Sequence, residues 1–183
     1  MAAVRNGILA RMQKATLIAL AAALAAALPA AETNVVDAVA LGKIGTGTSA
    51  DGWLVGGVTN YAASAHEALR LDTKDDFLVS PVFARPITRI IVKVKSSSPS
   101  GRQLAFTPLR DGAPVERLRR LCAHTATSSS FREQTIDWPY GARVGSFRMS
   151  LEGGEKGSKT NWGVWQMSVV AGDPATGTAV VVR

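Results

Sequence analysis

Apolar and polar residues alternate with a period of two along most of the sequence beyond residue 50. In the segment 89–95, Ile90, Val92 and Val94 fall on one side of an extended chain, and three basic residues fall on the other. Successive side chains of a β-strand point to opposite faces of its sheet, so this pattern predicts an antiparallel strand with one buried face.

Other segments carry the same signature and are separated by turns rich in Gly, Pro, Ser and Asp. They lie at 53–58, 67–71, 77–82, 104–109, 131–138, 147–151 and 161–171. Short strands with turns at this spacing predict an all-β fold, a two-sheet antiparallel jelly-roll sandwich. The residues expected in its core are Ile90, Val92, Val94, Phe106, Phe147, Met149, Met167 and Val169.

Two smaller expectations follow from the same pattern. Trp165, Met167 and Val169 are expected to share one face of the last strand. Helical periodicity is weak throughout, and its nearest approach, in the segment 61–69, is short. No helix is therefore predicted after residue 31.

The first 31 residues predict an export signal. Three basic residues precede an uncharged run at 15–28, and small residues follow at 29–31. An apolar run of about 14 residues is shorter than the roughly 20 needed to cross a bilayer core, so cleavage near Ala31 is expected. An uncleaved helix that tethers the protein to the membrane is the alternative. The sequence thus predicts a secreted or periplasmic bacterial protein.

The chain is expected to have three parts. A signal peptide at 1–31 is followed by a flexible lead-in at 32–51, which is rich in small and polar residues, and by a β-sandwich domain at 52–183. No segment after the signal is apolar and long enough to predict a membrane span in the mature protein.

The charge and the single cysteine bear on function. Of the formal net charge of +7, the signal peptide carries +3 and the remaining residues +4, an ordinary excess that does not predict nucleic-acid binding. Cys122 has no partner for an internal disulfide and is interpreted as a small buried hydrophobic residue. The sequence contains neither a phosphate-binding loop in context nor a recognisable catalytic motif, and no enzyme is predicted.

Short motifs between residues 66 and 171 resemble secreted bacterial jelly-roll modules. The motifs are Leu-Arg-Leu-Asp at 69–72, Asp-Phe-Leu-Val-Ser-Pro at 76–81, Pro-Ile-Thr at 86–88, and an Asn followed by a strand at 161–170. Those modules carry paired aspartates where this sequence has Trp165 and Gln166. The resemblance implies a concanavalin-like or galactose-binding-like β-sandwich, and it implies a carbohydrate-binding or adhesive role.

Aromatic residues at junctions between strands and loops predict where a sugar would bind. Trp138 and Tyr140 follow one predicted strand, and Trp162 begins another. An aromatic ring can face the C–H side of a pyranose, while the polar side chains of Arg148 and Asn161 bond its hydroxyls. The alternative interpretation is that the same rings fill the corners of the sandwich.

An acidic turn offers a weaker candidate site. Asp72, Asp75 and Asp76 could together supply oxygen ligands to Ca²⁺, although a hydrophilic turn tip is the favoured interpretation. No other metal or cofactor is expected.

The sequence favours a non-catalytic module that binds glycan or cell-surface material. The alternative is a structural or assembly subunit of an exported or cell-surface complex. The oligomeric state and the identity of the ligand are left open by the sequence.

Overall fold

The computed structural model describes residues 31–63, 66–96, 102–123, 130–153 and 161–173. Within these ranges the chain forms two antiparallel β-sheets that pack face to face around one core. The all-β jelly-roll sandwich predicted from the alternation is confirmed. The predicted signal peptide, apart from Ala31, lies outside the described residues.

The first sheet has six strands in the order β11-β7-β13-β5-β4, with β1 pairing beside β13. Its strands are β1 (Glu32–Val36), β4 (Thr59–Ala63), β5 (His66–Leu71), β7 (Ile87–Ser96), β11 (Arg132–Asp137) and β13 (Trp162–Ala171).

The second sheet has seven strands in the order β10-β8-β12-β6-β3-β2, with β9 pairing beside β8. Its strands are β2 (Gly47–Thr48), β3 (Leu54–Gly56), β6 (Phe77–Val79), β8 (Gln103–Arg110), β9 (Ala113–Pro114), β10 (Arg120–Leu121) and β12 (Ser146–Glu152). One short 3₁₀ turn, Glu116–Leu118, lies between β9 and β10 of this sheet, and another, Tyr140–Ala142, lies between β11 of the first sheet and β12 of the second.

Strand β13 holds the six-stranded sheet together because it pairs with three other strands. One of its edges follows β7 throughout. Its other edge pairs with β5 over Trp162–Val164 and with β1 over Met167–Ala171. The change of neighbour occurs around Trp165, and the position of that residue matters for the site described below.

The core lies between the sheets and is built from the alternating apolar positions. All eight predicted core residues are buried. Phe147 lies at the centre, with its ring centroid 5.8 Å from those of both Trp53 and Phe106 and 6.2 Å from that of Trp138. Offset and edge-on aromatic pairs of this kind stabilise a core beyond their buried area by about 0.5–1.5 kcal/mol each.

The segment 32–51, which the sequence predicts to be a flexible lead-in, contains regular structure. Residues 32–36 form β1, which pairs with β13, and Ala38–Ile44 form a helix, α1. The Asp37 carboxylate accepts a hydrogen bond from the backbone N–H of Ala40 and caps the helix. Seven residues are too few to show a clear helical period, which explains why the sequence pattern did not predict α1.

Helix α1 is held against the six-stranded sheet at its β4–β5 edge. The Asn60 amide donates hydrogen bonds to the Val39 carbonyl and to Glu67. A side chain at Gly42 would collide with Asn60, because an added Cβ would lie 1.7 Å from the Asn60 Oδ1 atom. The described residues of the segment 61–69, the nearest approach to a helical pattern, belong to the paired strands β4 and β5. Among the described residues, no helix is long and apolar enough to span a bilayer.

Candidate functional site

The two tryptophans predicted to bind sugar are buried. Trp162 has no exposed surface, and its indole Nε1 donates to the Arg102 carbonyl at 2.8 Å. Trp138 is 2% exposed, and its Nε1 donates to the Leu118 carbonyl at 2.7 Å. A sugar stacks on an open ring face, which neither residue offers. This corrects the prediction that Trp138 and Trp162 form a saccharide platform, because both rings fill corners of the sandwich.

The five predicted ligand residues also lie apart. Trp162 pairs with Ser96 at one end of β7, whereas the Trp138 backbone N–H donates to the Thr88 carbonyl at the other end. Eight strand residues span about 26 Å. The described chain therefore does not bring the two rings to one site.

The remaining predicted ligand residues are divided between these ends and the second sheet. Tyr140 is 46% exposed near Trp138, and Asn161 immediately precedes Trp162. Arg148 lies on the outer face of the seven-stranded sheet, the face turned away from the core, with its guanidinium carbon 4.6 Å from the centroid of the Phe77 ring. Arg148 and Asn161 are thus not partners of a common ligand in this arrangement.

The acidic turn is closed by its own hydrogen bonds. Asp76 is 2% exposed, and its carboxylate accepts from the backbone N–H groups of Asp72 and Thr73 and from the Thr73 hydroxyl. The Asp72 carboxylate pairs with Arg70, and that of Asp75 pairs with Lys74. The described residues contain no cluster of three potential metal ligands, so the three aspartates are not arranged as a calcium site.

A bulge in β13 creates a different aromatic surface. Val164 pairs with Val94 and Gln166 with Lys93, so Trp165 is an extra residue without a partner on β7. Val164 and Met167 are buried, whereas Trp165 is half-buried and Gln166 is exposed. The bulge therefore places both intervening side chains on the outer face of the six-stranded sheet. The prediction that Trp165 shares a face with Met167 and Val169 is wrong for this reason.

The spacing of the apolar residues along β13 carries a signal of this bulge in the sequence. Trp162 and Val164 are buried at even-numbered positions, and Met167 and Val169 are buried at odd-numbered positions. The buried positions thus change from even-numbered to odd-numbered residues between 164 and 167. A regular strand cannot change phase, so one extra residue must be accommodated there.

Three aromatic side chains meet on this face and are called here the outer aromatic cluster: His66, Phe131 and Trp165. The rings of His66 and Trp165 stack at a centroid separation of 3.8 Å with an interplanar angle of 17°. The Phe131 ring lies 5.8 Å from that of Trp165 and 6.4 Å from that of His66. His66 is exposed and the other two rings are half-buried, so the cluster presents aromatic surface to solvent.

The cluster is assembled from separate parts of the sheet. His66 begins β5, Trp165 is the bulge residue of β13, and Phe131 immediately precedes β11. The Lys93 ammonium nitrogen lies 5.2 Å from the centroid of the Trp165 ring. Exposed Gln166, the neighbour of Trp165, adds an amide that can donate to and accept from a ligand.

Tyr61 extends the aromatic surface along the same face. Its phenol lies over Gly163, because a Cβ added at Gly163 would be 2.2 Å from the Tyr61 hydroxyl oxygen. Burial raises the pKa of Tyr61, and the nearby Arg70 guanidinium opposes part of that rise. The phenol therefore stays protonated at neutral pH and can donate a hydrogen bond.

A cleft lies beside α1. It has a volume of about 590 Å³, and its floor includes Leu41, Trp53 and Phe83. Asp37 and Asp51 are the charged residues among those that line it. This cleft thus combines an apolar floor with an acidic rim.

Cys122 is buried, as predicted. Its backbone N–H donates to the Leu104 carbonyl, and burial raises the pKa of its thiol to about 12. The thiol is therefore protonated at neutral pH and is not a nucleophile in the folded protein. Its sequence neighbour His124 lies outside the described residues.

The fold is similar to those of several solved β-sandwich domains. The CBM36-1 domain of a multidomain xylanase from the hindgut metagenome of Trinervitermes trinervoides aligns with a TM-score of 0.47 and 12% identity, covering 82% of this chain and 100% of that one. The K1 cleaved adhesin domain of Lys-gingipain from Porphyromonas gingivalis W83 aligns with a TM-score of 0.44 and 12% identity, covering 77% and 91%.

A family two carbohydrate esterase from Cellvibrio japonicus gives a TM-score of 0.43 and 10% identity, covering 77% of this chain and 34% of that one. No protein-family model and no curated protein sequence matches the chain.

Proposed function

We propose that the protein is an exported, non-catalytic module that binds saccharide on the outer face of its six-stranded sheet. The observation that carries this proposal is the outer aromatic cluster. Large aromatic side chains usually bury their surface in the core, and three rings that meet on an outer sheet face leave apolar area in contact with water. A sugar ring offers the matching chemistry, with C–H groups on its faces and hydroxyls around its edge.

The geometry supports a division of roles within the cluster. The indole of Trp165 stacks in parallel on the exposed imidazole of His66, and the Phe131 ring lies beside the Trp165 ring. The exposed ring surface takes the C–H face of a sugar. Gln166 and Lys93 lie beside the rings and supply hydrogen bonds to the hydroxyls.

The surroundings of the cluster favour binding over catalysis. Glycoside hydrolysis usually needs two carboxylates that flank the bond to be broken. Among the described residues of this outer face, Glu133 is the carboxylate opposite Lys93, and Asp137 forms an ion pair with Arg89 farther along the sheet.

Binding of immobilised and soluble glycans to the purified protein tests the proposal. Each ring contact contributes about 0.5–1.5 kcal/mol, so one small site predicts dissociation constants in the micromolar-to-millimolar range. Trp165→Ala is expected to weaken binding by about tenfold or more, since it removes a stacked ring and the support of a second one. Phe77→Ala, on the opposite outer face, is the matched control and is expected to bind as the wild type does.

Two results would contradict the proposal. A folded wild-type protein that binds no member of a broad glycan panel has no saccharide site of this kind. Binding that survives Trp165→Ala but is lost in Phe77→Ala would move the site to the seven-stranded sheet. Concentration-dependent self-association without any glycan binding would instead favour the structural or assembly role.

A further inference from the structure

We infer that the cleft beside α1 binds a small organic cation, meaning an ammonium group carried on an aromatic or branched apolar body. This inference goes beyond the proposed saccharide-binding function, and the described residues that line the cleft include none of the outer aromatic cluster. The juxtaposition that carries it is an apolar floor beside two aspartate carboxylates.

The cleft lies where the edges of the two sheets meet. Strand β1 pairs with β13 at one side of the first sheet, and β2 is the last strand of the second sheet. Residues of β1, α1, the β2–β3 turn and the loop after β6 line the cleft. Its volume of about 590 Å³ lies within the range of roughly 300–1,000 Å³ that is usual for small-molecule sites. The cleft can therefore enclose most of a small ligand.

The floor and walls of the cleft offer apolar contact. Leu41 and Trp53 belong to the core, and Phe83 packs against it. Val35 and Ile44 also line the cleft, and they are 75% and 36% exposed. Apolar side chains that stay in contact with water at a concave surface favour a ligand that covers them. The cleft thus accepts the apolar body of a ligand.

The Asp37 carboxylate is oriented by its role as the cap of α1. Its Oδ1 atom accepts a hydrogen bond from the Ala40 backbone N–H at 2.9 Å. An ionised carboxylate has about four acceptor positions on its two oxygens, so this bond leaves most of them available. Asp37 can therefore accept from a ligand ammonium group while it continues to cap the helix.

Asp51 lies on a turn that is closed by its own hydrogen bonds. The Trp53 backbone N–H donates to the Ser49 hydroxyl at 3.0 Å, and the Ser49 N–H donates to the Trp53 carbonyl at 2.8 Å. The Gly52 N–H donates to the Ser49 carbonyl at 3.0 Å. Asp51 itself is exposed, and no hydrogen bond or ion pair joins its carboxylate to another residue of the described ranges. It can therefore form a charge-assisted hydrogen bond with a ligand.

The charged groups select the class of ligand. Asp37 and Asp51 are the charged residues among the described lining of the cleft. Lys43, the basic residue of α1, lies outside this lining and forms an ion pair with Glu67 of β5. An ammonium group is attracted by the two carboxylates, an anion is repelled by them, and a neutral ligand gains only the apolar contact.

Three probes separate the contributions of charge and apolar contact. Tryptamine carries an ammonium group on an indole, tryptophol carries a hydroxyl on the same indole, and butylamine has the ammonium group without the ring. Each is titrated into the purified protein and followed by ¹H–¹⁵N NMR spectra, in which the amides of the residues that line the cleft are expected to shift.

The expected order of affinity follows from the two kinds of contact. Tryptamine is expected to bind with a dissociation constant in the millimolar range, about fivefold or more tightly than tryptophol at about 20 mM salt. Butylamine is expected to bind more weakly than tryptamine. The preference for tryptamine over tryptophol should shrink at about 500 mM salt, because salt screens exposed charges.

Paired variants assign the preference to the two carboxylates. Asp37→Asn combined with Asp51→Asn is expected to remove it, and α1 should persist because Asn caps a helix about as well as Asp does. Asp75→Asn combined with Asp111→Asn changes the net charge equally at exposed positions outside the described lining, and it is expected to keep the preference. Thermal unfolding of each variant verifies that it is folded.

A variant that fills the cleft tests the location without changing the charge. Ala40 is an exposed residue of α1 that lines the cleft. Ala40→Phe places a ring in this space and is expected to weaken the binding of both indole probes. Unchanged binding in a folded Ala40→Phe variant would place the ligand elsewhere and overturn the inference.

The remaining outcomes either support or overturn the inference. A preference for tryptamine that only the cleft pair loses supports it. Equal binding of tryptamine and tryptophol, a preference that both pairs lose to the same extent, or a folded protein that binds none of the probes would overturn it. Glycan binding by the cleft pair is expected to match that of the wild type, so the cation site and the proposed saccharide site can each fail alone.

Discussion

The two outer faces of the sandwich share two local features, an aromatic ring over a glycine and a cation against an aromatic ring, but the residues around these features differ. On the six-stranded sheet the Tyr61 phenol lies over Gly163, and on the seven-stranded sheet the Phe77 ring lies over Gly56. In both places a glycine, which has no side chain, leaves space for an aromatic ring from another strand of the same sheet. Each ring covers backbone that would otherwise face water.

Each face also holds a cation against an aromatic ring. Lys93 lies over Trp165 on the six-stranded sheet, and Arg148 lies over Phe77 on the seven-stranded sheet. The difference lies in what surrounds these pairs. Around Phe77 the outward positions of β8 and β12 include four small, buried residues: Ala105, Thr107, Ser146 and Ser150.

The six-stranded sheet departs from this pattern at one point. The bulge at Trp165 lets this ring lie on the outer face while Met167 and Val169 after it stay buried, and His66 and Phe131 join that ring at the sheet surface. The comparison teaches that a single extra residue reconciles an outward aromatic ring with a buried strand face on both sides of it. The regular outer face serves mainly to cover the strands.

The largest expected effect is a difference in the free energy of unfolding between variants of the buried and of the outward tryptophan of β13. Trp162→Ala is expected to lower the free energy of unfolding by about 3–5 kcal/mol, because it leaves a cavity and deprives the Arg102 carbonyl of its donor. Trp165→Ala is expected to cost about 1 kcal/mol, since its ring contacts lie on the surface. Urea unfolding monitored by circular dichroism measures both values. Similar losses in the two variants would mean that Trp165 is a core residue.

A pair of glycine substitutions compares the two covered positions. Gly56→Ala and Gly163→Ala are each expected to cost about 1–3 kcal/mol, because the added methyl group displaces a ring. The cost at Gly56 is expected to be larger, since the Phe77 ring edge lies 2.3 Å from the added Cβ and carries Arg148 with it. At Gly163 the nearest atom is the tip of the Tyr61 side chain. Thermal unfolding in which Gly163→Ala is the more damaging variant would show that the phenol is the more rigidly held ring.

The cation–aromatic pairs are expected to contribute less. Arg148→Ala and Lys93→Ala are each predicted to lower stability by about 0.5–1 kcal/mol, the usual range for exposed pairs of this type. Arg148→Ala should leave saccharide binding intact, whereas Lys93→Ala should weaken it. Chemical denaturation and ligand titration of the same two samples measure these effects. Equal effects on binding would remove the functional difference between the faces.

The smallest effect concerns Tyr61 and is confined to alkaline solution. The pKa of Tyr61 is raised in the folded protein. The favourable contribution of the phenol to stability is therefore complete below the ordinary phenol pKa of about 10, and it is lost as pH rises through the higher folded pKa. Stability measured from neutral to alkaline pH should therefore fall more steeply in the wild type than in Tyr61→Phe. Superimposable pH profiles would show that the phenol titrates as it does in the unfolded chain.

Most of the sandwich could be predicted from alternation because its inner positions are regular. Ile90, Val92 and Val94 keep one phase along the whole of β7, and burial of that face fixes the strand and its register. The parts that the sequence did not predict are those where local pattern and tertiary pairing disagree. Strand β1 and helix α1 are short, and they owe their structure to β13 and to the Asp37 cap.

Which aromatic rings are buried could not be predicted from the sequence, for a similar reason. Junctions between strands and loops show where aromatics occur, but they do not show whether a ring turns inward or outward. Trp162 turns inward and Trp165 turns outward, as residues three apart on a strand do. The change of phase comes with the bulge, which returns Met167 and Val169 to the core, and His66 meets the Trp165 ring from a strand far away in sequence.

The position of β13 among three partner strands has a consequence for the order in which the molecule folds. Its pairing with β1 places Glu32 opposite Ala171, so strands from the two extremes of the described chain are immediate neighbours. Contacts this distant in sequence give a high contact order and slow folding. During synthesis, β1, β5 and β7 appear before the strand that joins them. The six-stranded sheet can therefore form only after the ribosome has released residues 162–171, and joining residues 31 and 173 in a circular permutant should shorten that wait.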